Sequence, residues 1–390
     1  MTPGARVAAA IEVLDQIRAG VAAEPALTAW GRTHRFAGSK DRAAIRDHVF
    51  DVLRARRSLS DGSGRDLMIR LLVRDGWDVD AYFDGVGHAP APLGDDERAA
   101  LGEPLVLTDA AASDIPDWLW PQWCESLGKI AGPAAQAGQA RADVFLRVNL
   151  RRTTRQAAAD ALLAQDIDTQ PHPTVQTCLR VTRNPRRVKT SDAFTQGLVE
   201  LQDASSQFAI SAVSVPTGGR ILDYCAGGGG KALALADQQD ALVFAHDIAP
   251  RRMADLPARA GRAQVQIATL SSKDVTAQAP YDLVFCDAPC SGSGTWRRTP
   301  DAKWQLTQDR LVDLQEMQDD VLAKAAPLVA RGGVLAYATC SVLACENDQR
   351  IARFRAANPK WDIVARHHLV PGPDGDGFYL CLMECVKNNL

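Results

Sequence analysis

The sequence predicts a doubly wound α/β domain over residues 201–390, preceded by a small α+β unit (136–200) and a helical region (1–135). Three observations predict it. From Leu201 onward, short apolar runs alternate with helical stretches, as in strands buried on both faces of a parallel sheet. Polar, glycine-rich motifs follow those runs directly, and open α/β sheets place their ligands at the carboxyl ends of their strands. Upstream, apolar residues recur at three- and four-residue spacing, the period of a helix face.

The chain has 390 residues, which suits two or three domains, and 46% of them are hydrophobic, enough for packed cores. No run of 18 apolar residues occurs, so no membrane-spanning helix is expected. Arg6, Glu12, Asp15 and Arg18 interrupt any signal-peptide core, which predicts a protein that is not exported. The nine cysteines are odd in number and widely spread, so reduced thiols in a cytoplasm are expected rather than a disulfide framework. None has C-x-x-C spacing, and Cys381 and Cys385 read as strand core, so no metal site is expected. Net charge is −3 and the isoelectric point about 6.2, without a global nucleic-acid signature. Between Arg147 and Lys189, however, nine Lys/Arg stand against three Asp/Glu; this fits a phosphate footprint or a solvated basic face equally.

In the helical region, Val7, Ala10, Ile11, Leu14 and Ile17 form one stripe. Ser39 can cap a second helix with Ile45, Val49, Val52 and Leu53 on one face and Lys40, Arg42, Arg46, Arg54, Arg56 and Arg57 opposite. Residues 61–135 are less regular, with a Pro-rich loop after His88 and tryptophans after Pro116 that suit packing. In the α+β unit, Val144–Asn149 reads as a strand, a helix starts at Thr153 or Thr154 and runs through Leu163, and short strands follow around Leu179. Farther on, strands are expected at Arg220–Tyr224, Leu242–Asp247, Val265–Ala268, Tyr281–Asp287, Gly333–Thr339 and Phe378–Val386. A long helix is expected from Thr307 to Val329, stopped by Gly332-Gly333.

The first motif is Asp223-Tyr-Cys225-Ala226-Gly227-Gly228-Gly229-Gly230-Lys231, directly after a strand. Its glycines allow a sharp turn and close approach of a ligand, although a purely structural turn would read the same. A phosphate-binding Walker loop is excluded, because Cys225 stands where its first glycine belongs and Ala232 where Ser/Thr belongs. Asp247 ends the next strand, where a carboxylate can accept both hydroxyls of a ribose. Loop and acid together fit a dinucleotide or S-adenosylmethionine. Asp274, after the third strand, is a candidate partner for an adenine amino group, or a solvated loop residue. Asp287-Ala-Pro-Cys290-Ser-Gly-Ser-Gly-Thr295 follows the fourth strand, and Thr339-Cys340-Ser341 the fifth.

Two cysteines facing one crevice suit a particular methylation problem. Carbon 5 of cytosine is a poor nucleophile until a thiolate adds to carbon 6. Neutral-pH thiols are mostly protonated, so such a site must favour the thiolate. A protonated Asp287 near pyrimidine N3 would stabilise the adduct, and a second Cys would help release it.

These motifs resemble the RsmB/Nop/Sun family of RNA cytosine-C5 methyltransferases. The resemblance rests on Asp223–Lys231, Asp247 with Arg252, the run from Asp287 to Trp304, Thr339–Ser341 with Glu346-Asn347, and Asp376-Gly-Phe378. Arg147-Val-Asn149 and Gln202–Gln207 extend it upstream, so it covers about Pro116 to the C-terminus. It implies a Rossmann-like class I methyltransferase domain behind an RRM-like subdomain. It also implies Cys340 as nucleophile, Cys290 in product release, and S-adenosylmethionine held by residues 225–231 with Asp247, Arg252, Asp274 and Asp287. Residues 1–135, through the segment Gly38–Arg57, resemble the NusB-like RNA-binding extension of bacterial members, which favours ribosomal over transfer RNA as partner. The sequence departs from the usual Cys-Ala-Ala-Pro-Gly-Gly-Lys-Thr loop at Gly227, Gly228 and Ala232. Losing the proline removes stiffness and could lower cofactor affinity, but the lysine and the final glycines remain, so binding is still expected. A non-catalytic RNA-binding or assembly factor would be expected to lose Cys290, Cys340 or Asp287, and a nicotinamide dehydrogenase leaves the paired cysteines unexplained.

Overall fold

The computed structural model describes residues 1–60 and 62–385. Two compact units emerge, and neither is a continuous stretch of chain. The first comprises Met1–Cys124, Gly128–Arg141 and Trp296–Leu306; the second comprises Glu125–Leu127, Ala142–Thr295 and the chain from Thr307.

The first unit is helical, with helices Pro3–Arg18, Ala23–Thr33, Ser39–Arg54 and Gly64–Arg74. The expected stripe is buried at Val7, Ala10, Leu14 and Ile17, with Ile11 half-buried, and packs with Ile45, Val49, Leu53, Leu67 and Leu71. Ser39 is the first helical residue rather than the cap; Gly38 holds the cap, and its N–H donates to Asp41 Oδ2 at 3.2 Å. The segment 296–306 completes this unit. Trp304 packs against the core and its indole N–H donates to Leu53 O at 2.7 Å, Arg54 Nε donates to Arg297 O at 2.7 Å, and Trp296 stacks on Trp123 at 6.0 Å. The basic face is largely engaged: Arg46 pairs with Glu24, Arg54 with Asp51, and Arg57 with Asp117.

The second unit begins with β1 (Val144–Val148), a helix (Arg155–Leu163) capped by Thr154, β2 (Thr169–Pro171), β3 (Cys178–Val181), two short helical turns and β4 (Val199–Leu201). The sheet order β2-β3-β1-β4, antiparallel throughout, is the ferredoxin-like arrangement.

The main sheet follows: β5 (Gly219–Asp223), β6 (Ala241–Ala245), β7 (Ile267–Thr269), β8 (Tyr281–Asp287), β9 (Val329–Thr339), β10 (Trp361–Leu369) and β11 (Phe378–Cys385). Among the described residues its order is β10-β11-β9-β8-β5-β6-β7. β7, β6, β5, β8 and β9 run parallel, and β11 and β10 add an antiparallel edge. From β5 the chain winds outward to β7 and then returns to β8 on the other side, so the topological switch lies between β5 and β8. A ligand crevice belongs there.

Three expectations change. The long helix ends at Ala325, not Val329, because Pro327 follows and cannot continue it. Gly332-Gly333 then lies inside β9, where the pairing with β8 shifts register. β10 was not anticipated; its inward residues alternate with Asp362, Arg366 and His368, which blur the apolar pattern. The strand expected to reach Val386 is described to Cys385; Val386, the rest of the 201–390 span, and Asp61 within 1–135 lie outside the described residues.

Candidate active site

The loop after β5 and the ends of β6, β8 and β9 meet in one cleft of about 690 Å³. It brings together Cys225–Gly228, Gly230, Lys231, Asp247, Arg252, Asp287, Cys290 and Cys340. Gly229 belongs to the turn beneath that lining, as cap of the helix Gly230–Gln238.

Asp247 is buried and highly engaged. Its Oδ2 accepts from Gly227 N–H at 2.9 Å and pairs with Arg252 at 3.2 Å, while Oδ1 accepts from Ala249 N–H at 2.8 Å. The carboxylate therefore fixes the loop as well as presenting an acceptor. Gly227 has φ +52°, in the left-handed region that disfavours side chains, so the departure from Ala-Pro accompanies a turn suited to glycine.

Lys231 and Asp287 form an ion pair at 2.6 Å. Burial pulls the Lys231 pKa down, but the charge and hydrogen bond of Asp287 outweigh it and raise it. Asp287, expected beside a pyrimidine, is here held by Lys231. Asp223 is fully buried, with no side-chain partner and only the backbone N–H of Ala232 directed at its carboxyl. Burial, then the charge of Asp287, pushes its pKa up to about 7.

Cys290 and Cys340 approach to 3.4 Å between Sγ atoms. Either sulfur can donate in this contact, and the shared hydrogen bond lowers the Cys340 pKa and raises that of Cys290. Lys231 adds to the asymmetry, because its charge favours a thiolate at Cys340. The two thiols are thus close enough to share a proton.

Asp274 is absent from the cleft lining. It sits in the first turn of the helix Ser272–Ala277, where the Ser271 hydroxyl donates to its Oδ2 at 2.6 Å. Spacing alone did not distinguish this cap from a ligand contact. The cleft instead offers Tyr224, His246 and Ile248, with Leu314, Met317 and Val321 from the helix Gln308–Ala325. Ile248 is 82% exposed directly after Asp247, and an exposed isoleucine at a strand end was the available signal.

The basic stretch 147–189 is not a free patch. Arg147 is buried; it pairs with Asp237, and its Nε donates to Gln202 Oε1 at 2.7 Å. Gln202 Nε2 in turn donates to Gly230 O at 3.2 Å, so this arginine supports the glycine loop. Arg151 donates to the carbonyls of Asp237 and Gln239, Arg183 pairs with Asp168, and Arg187 with Asp166.

The family described as 16S rRNA methyltransferase RsmB/F matches residues 212–375, and the ferredoxin-like domain of RsmF/B-like methyltransferases matches residues 115–188. Ribosomal RNA small subunit methyltransferase B of Yersinia pestis is 33% identical over 294 residues, covering 70% of this chain and 68% of that protein. The crystal structure of PH0851 shares the fold with a TM-score of 0.75 at 20% identity, covering 98% of this chain and 99% of that one. The structure of NSun6 from Pyrococcus horikoshii with SFG aligns with a TM-score of 0.60 at 14% identity, covering 70% of this chain and 99% of that one.

Proposed function

Because the chain belongs to the RsmB/F family of 16S rRNA methyltransferases, we propose that it methylates carbon 5 of a cytosine in small-subunit ribosomal RNA, using S-adenosylmethionine and Cys340 as nucleophile. The observation that carries this reading is the thiol pair, 3.4 Å apart in the same cleft as the glycine loop and Asp247.

The cleft suits this cofactor. Lys231 is already paired with Asp287, so the loop has no free ammonium to offer a phosphate. Arg252 is likewise paired with Asp247, so both cations beside the loop already have carboxylate partners, which leaves little for a pyrophosphate to bind. In this reading residues 225–231 hold the amino-acid end, Asp247 accepts from the ribose with Arg252 bracing it, and Ile248 covers the base. When bound, S-adenosylmethionine supplies an electrophilic methyl group to carbon 5.

The chain's own residues do the rest. Cys340 adds as thiolate to carbon 6, forming a sulfur–carbon bond and moving electron density to carbon 5. Asp287 and Lys231 together present a proton donor and an acceptor at the pyrimidine edge. After methylation the carbon 5 proton passes to solvent, its bonding pair restores the carbon 5–carbon 6 double bond, and the carbon 6–sulfur bond breaks to return the Cys340 thiolate; Cys290 assists this release. The target base must be unstacked to reach the thiols. Reduced cysteines are required throughout, which suits a bacterial cytoplasm. The proposed parts are a helical extension (1–135), an RRM-like subdomain (136–200) and a catalytic domain (201–390), although the compact units divide after Arg141 and take Trp296–Leu306 into the helical one.

Bisulfite sequencing of total RNA from cells with and without the gene tests the proposal. One small-subunit cytosine should lose protection in the deletion strain, and unchanged protection at every ribosomal position would overturn it.

A further inference from the structure

The two thiols are held by their neighbours, not by their own loops alone. Cys290 lies between Pro289, whose carbonyl accepts from Gln318 Nε2 at 2.9 Å, and Ser291, whose N–H donates to Glu346 Oε1 at 2.8 Å. Cys340 lies between Thr339, whose hydroxyl donates to Asn347 Oδ1 at 2.6 Å, and Ser341, whose hydroxyl donates to Glu346 Oε2 at 2.5 Å. The Ser291 hydroxyl donates to the same Oε2 at 2.5 Å, and Gln318 Nε2 also donates to Oε1 at 3.0 Å. One carboxylate, fully buried, thus accepts four hydrogen bonds from the residues flanking both cysteines and from the helix Gln308–Ala325.

We infer that Glu346 is the positioning residue that locks the loops after β8 and β9 into one piece and so sets the separation of Cys290 and Cys340. Glu346 lies on the turn Ala344–Glu346, apart from both cysteine motifs, and is not among the residues lining the cleft. It is therefore not placed to touch substrate. Its two oxygens add to the other links between these loops: Ala288 N–H to Ala338 O, Gly294 N–H to Cys340 O and Val342 N–H to Ser293 Oγ, each 2.9 Å, and the Ser293–Ser341 hydroxyl contact at 2.9 Å. Buried acceptors of this kind are costly to leave unmatched, so removing the carboxylate strands several donors at once and lets the loops drift. A displacement of about 1 Å between reacting groups can lower a rate by about 100-fold.

The consequence for catalysis rests on the proposed thiol chemistry, but the separation itself can be read without RNA. Hydrogen peroxide oxidises two adjacent thiols to one disulfide, with two molecules of water leaving, and the protein loses two hydrogens in intact mass. In the full-length protein the Cys290–Cys340 disulfide should form at least about tenfold more slowly in Glu346→Ala than in the unaltered chain. The dissociation constant for S-adenosylmethionine should stay within about twofold, because the glycine loop is not part of the clamp. With RNA, kcat should fall about 100-fold with the cofactor KM unchanged, and covalent RNA adduct should accumulate because Cys290 no longer meets its partner. If Glu346→Ala destabilises the fold, Ser291→Ala and Ser341→Ala each remove one hydroxyl donor and should slow disulfide formation in the same direction. Disulfide formation at the unaltered rate in folded variants would overturn the positioning role. If the unaltered protein methylates no RNA while the oxidation rates fall as stated, the positioning role stands and the proposed function fails.

Discussion

Replacing Asp223 with asparagine should make the protein's stability less dependent on pH, by an amount the structure allows to be worked out. The carboxyl is completely buried at the end of β5, and burial raises its pKa from an ordinary 3.8 to about 7. An acid with a raised folded pKa contributes most below its unfolded pKa, and that contribution is lost as pH rises through the folded value. Ionising it in place costs about 4 kcal/mol in full, of which about 3 kcal/mol falls between pH 5 and pH 8. Asparagine mimics the neutral acid and carries no such term. Urea unfolding at pH 5, 6, 7 and 8, followed by circular dichroism, should show the stability of Asp223→Asn gaining on the unaltered protein by about 3 kcal/mol across this range. Curves that stay parallel within about 0.5 kcal/mol would refute the reasoning, and would mean that Asp223 is ionised in the fold at all these pH values.

Further outcomes follow from the cleft. Cys340→Ala should abolish methylation while S-adenosylmethionine still binds, and Cys290→Ala should trap a covalent RNA adduct visible as a slow gel band; full activity in the first or no adduct in the second would contradict the assigned roles. Gly294 and Gly377 meet backbone to backbone, and a Cβ on Gly294 would stand 2.4 Å from Gly377 O. Gly294→Ala should therefore cost about 1–3 kcal/mol in thermal stability and, through its bond to Cys340 O, slow single-turnover methyl transfer about 100-fold. Asp274→Ala should leave cofactor affinity within about twofold while costing about 0.3–1 kcal/mol at its helix terminus, measured by calorimetry and thermal melting; a loss of tenfold or more would return Asp274 to the site.

What could be read from the sequence was what the backbone itself encodes. β8 spans Tyr281–Asp287 as expected, because a continuous apolar run ending in an acid has few other readings in an alternating chain. The glycine loop and both cysteine motifs converge because each follows a parallel strand, and such strands end on the same side. Side-chain partnerships were less legible. Arg147 counted as surface charge but is a buried support for Gln202 and the loop, and Asp274 had the right spacing for a ligand but the shorter reach of a cap. Glu346 appeared only as part of a motif, because its significance depends on Ser291, fifty-five residues away, and on Gln318. β10 was hidden by charged residues on its exposed face, as an edge strand's often are.

The discontinuous helical unit has a consequence for how the chain comes off the ribosome. Its N-terminal helices are complete by Arg141, yet Trp304, Arg297 and Asp301, which bond to Leu53, Arg54 and Ala23, are translated only after the intervening residues 142–295. At about 5–20 residues per second that delay is roughly 8–30 seconds. During it the nascent helices carry an unfilled groove, open to chaperones or to misplaced apolar segments. Synonymous codons that slow translation between residues 142 and 295 would lengthen that exposure without altering a single side chain.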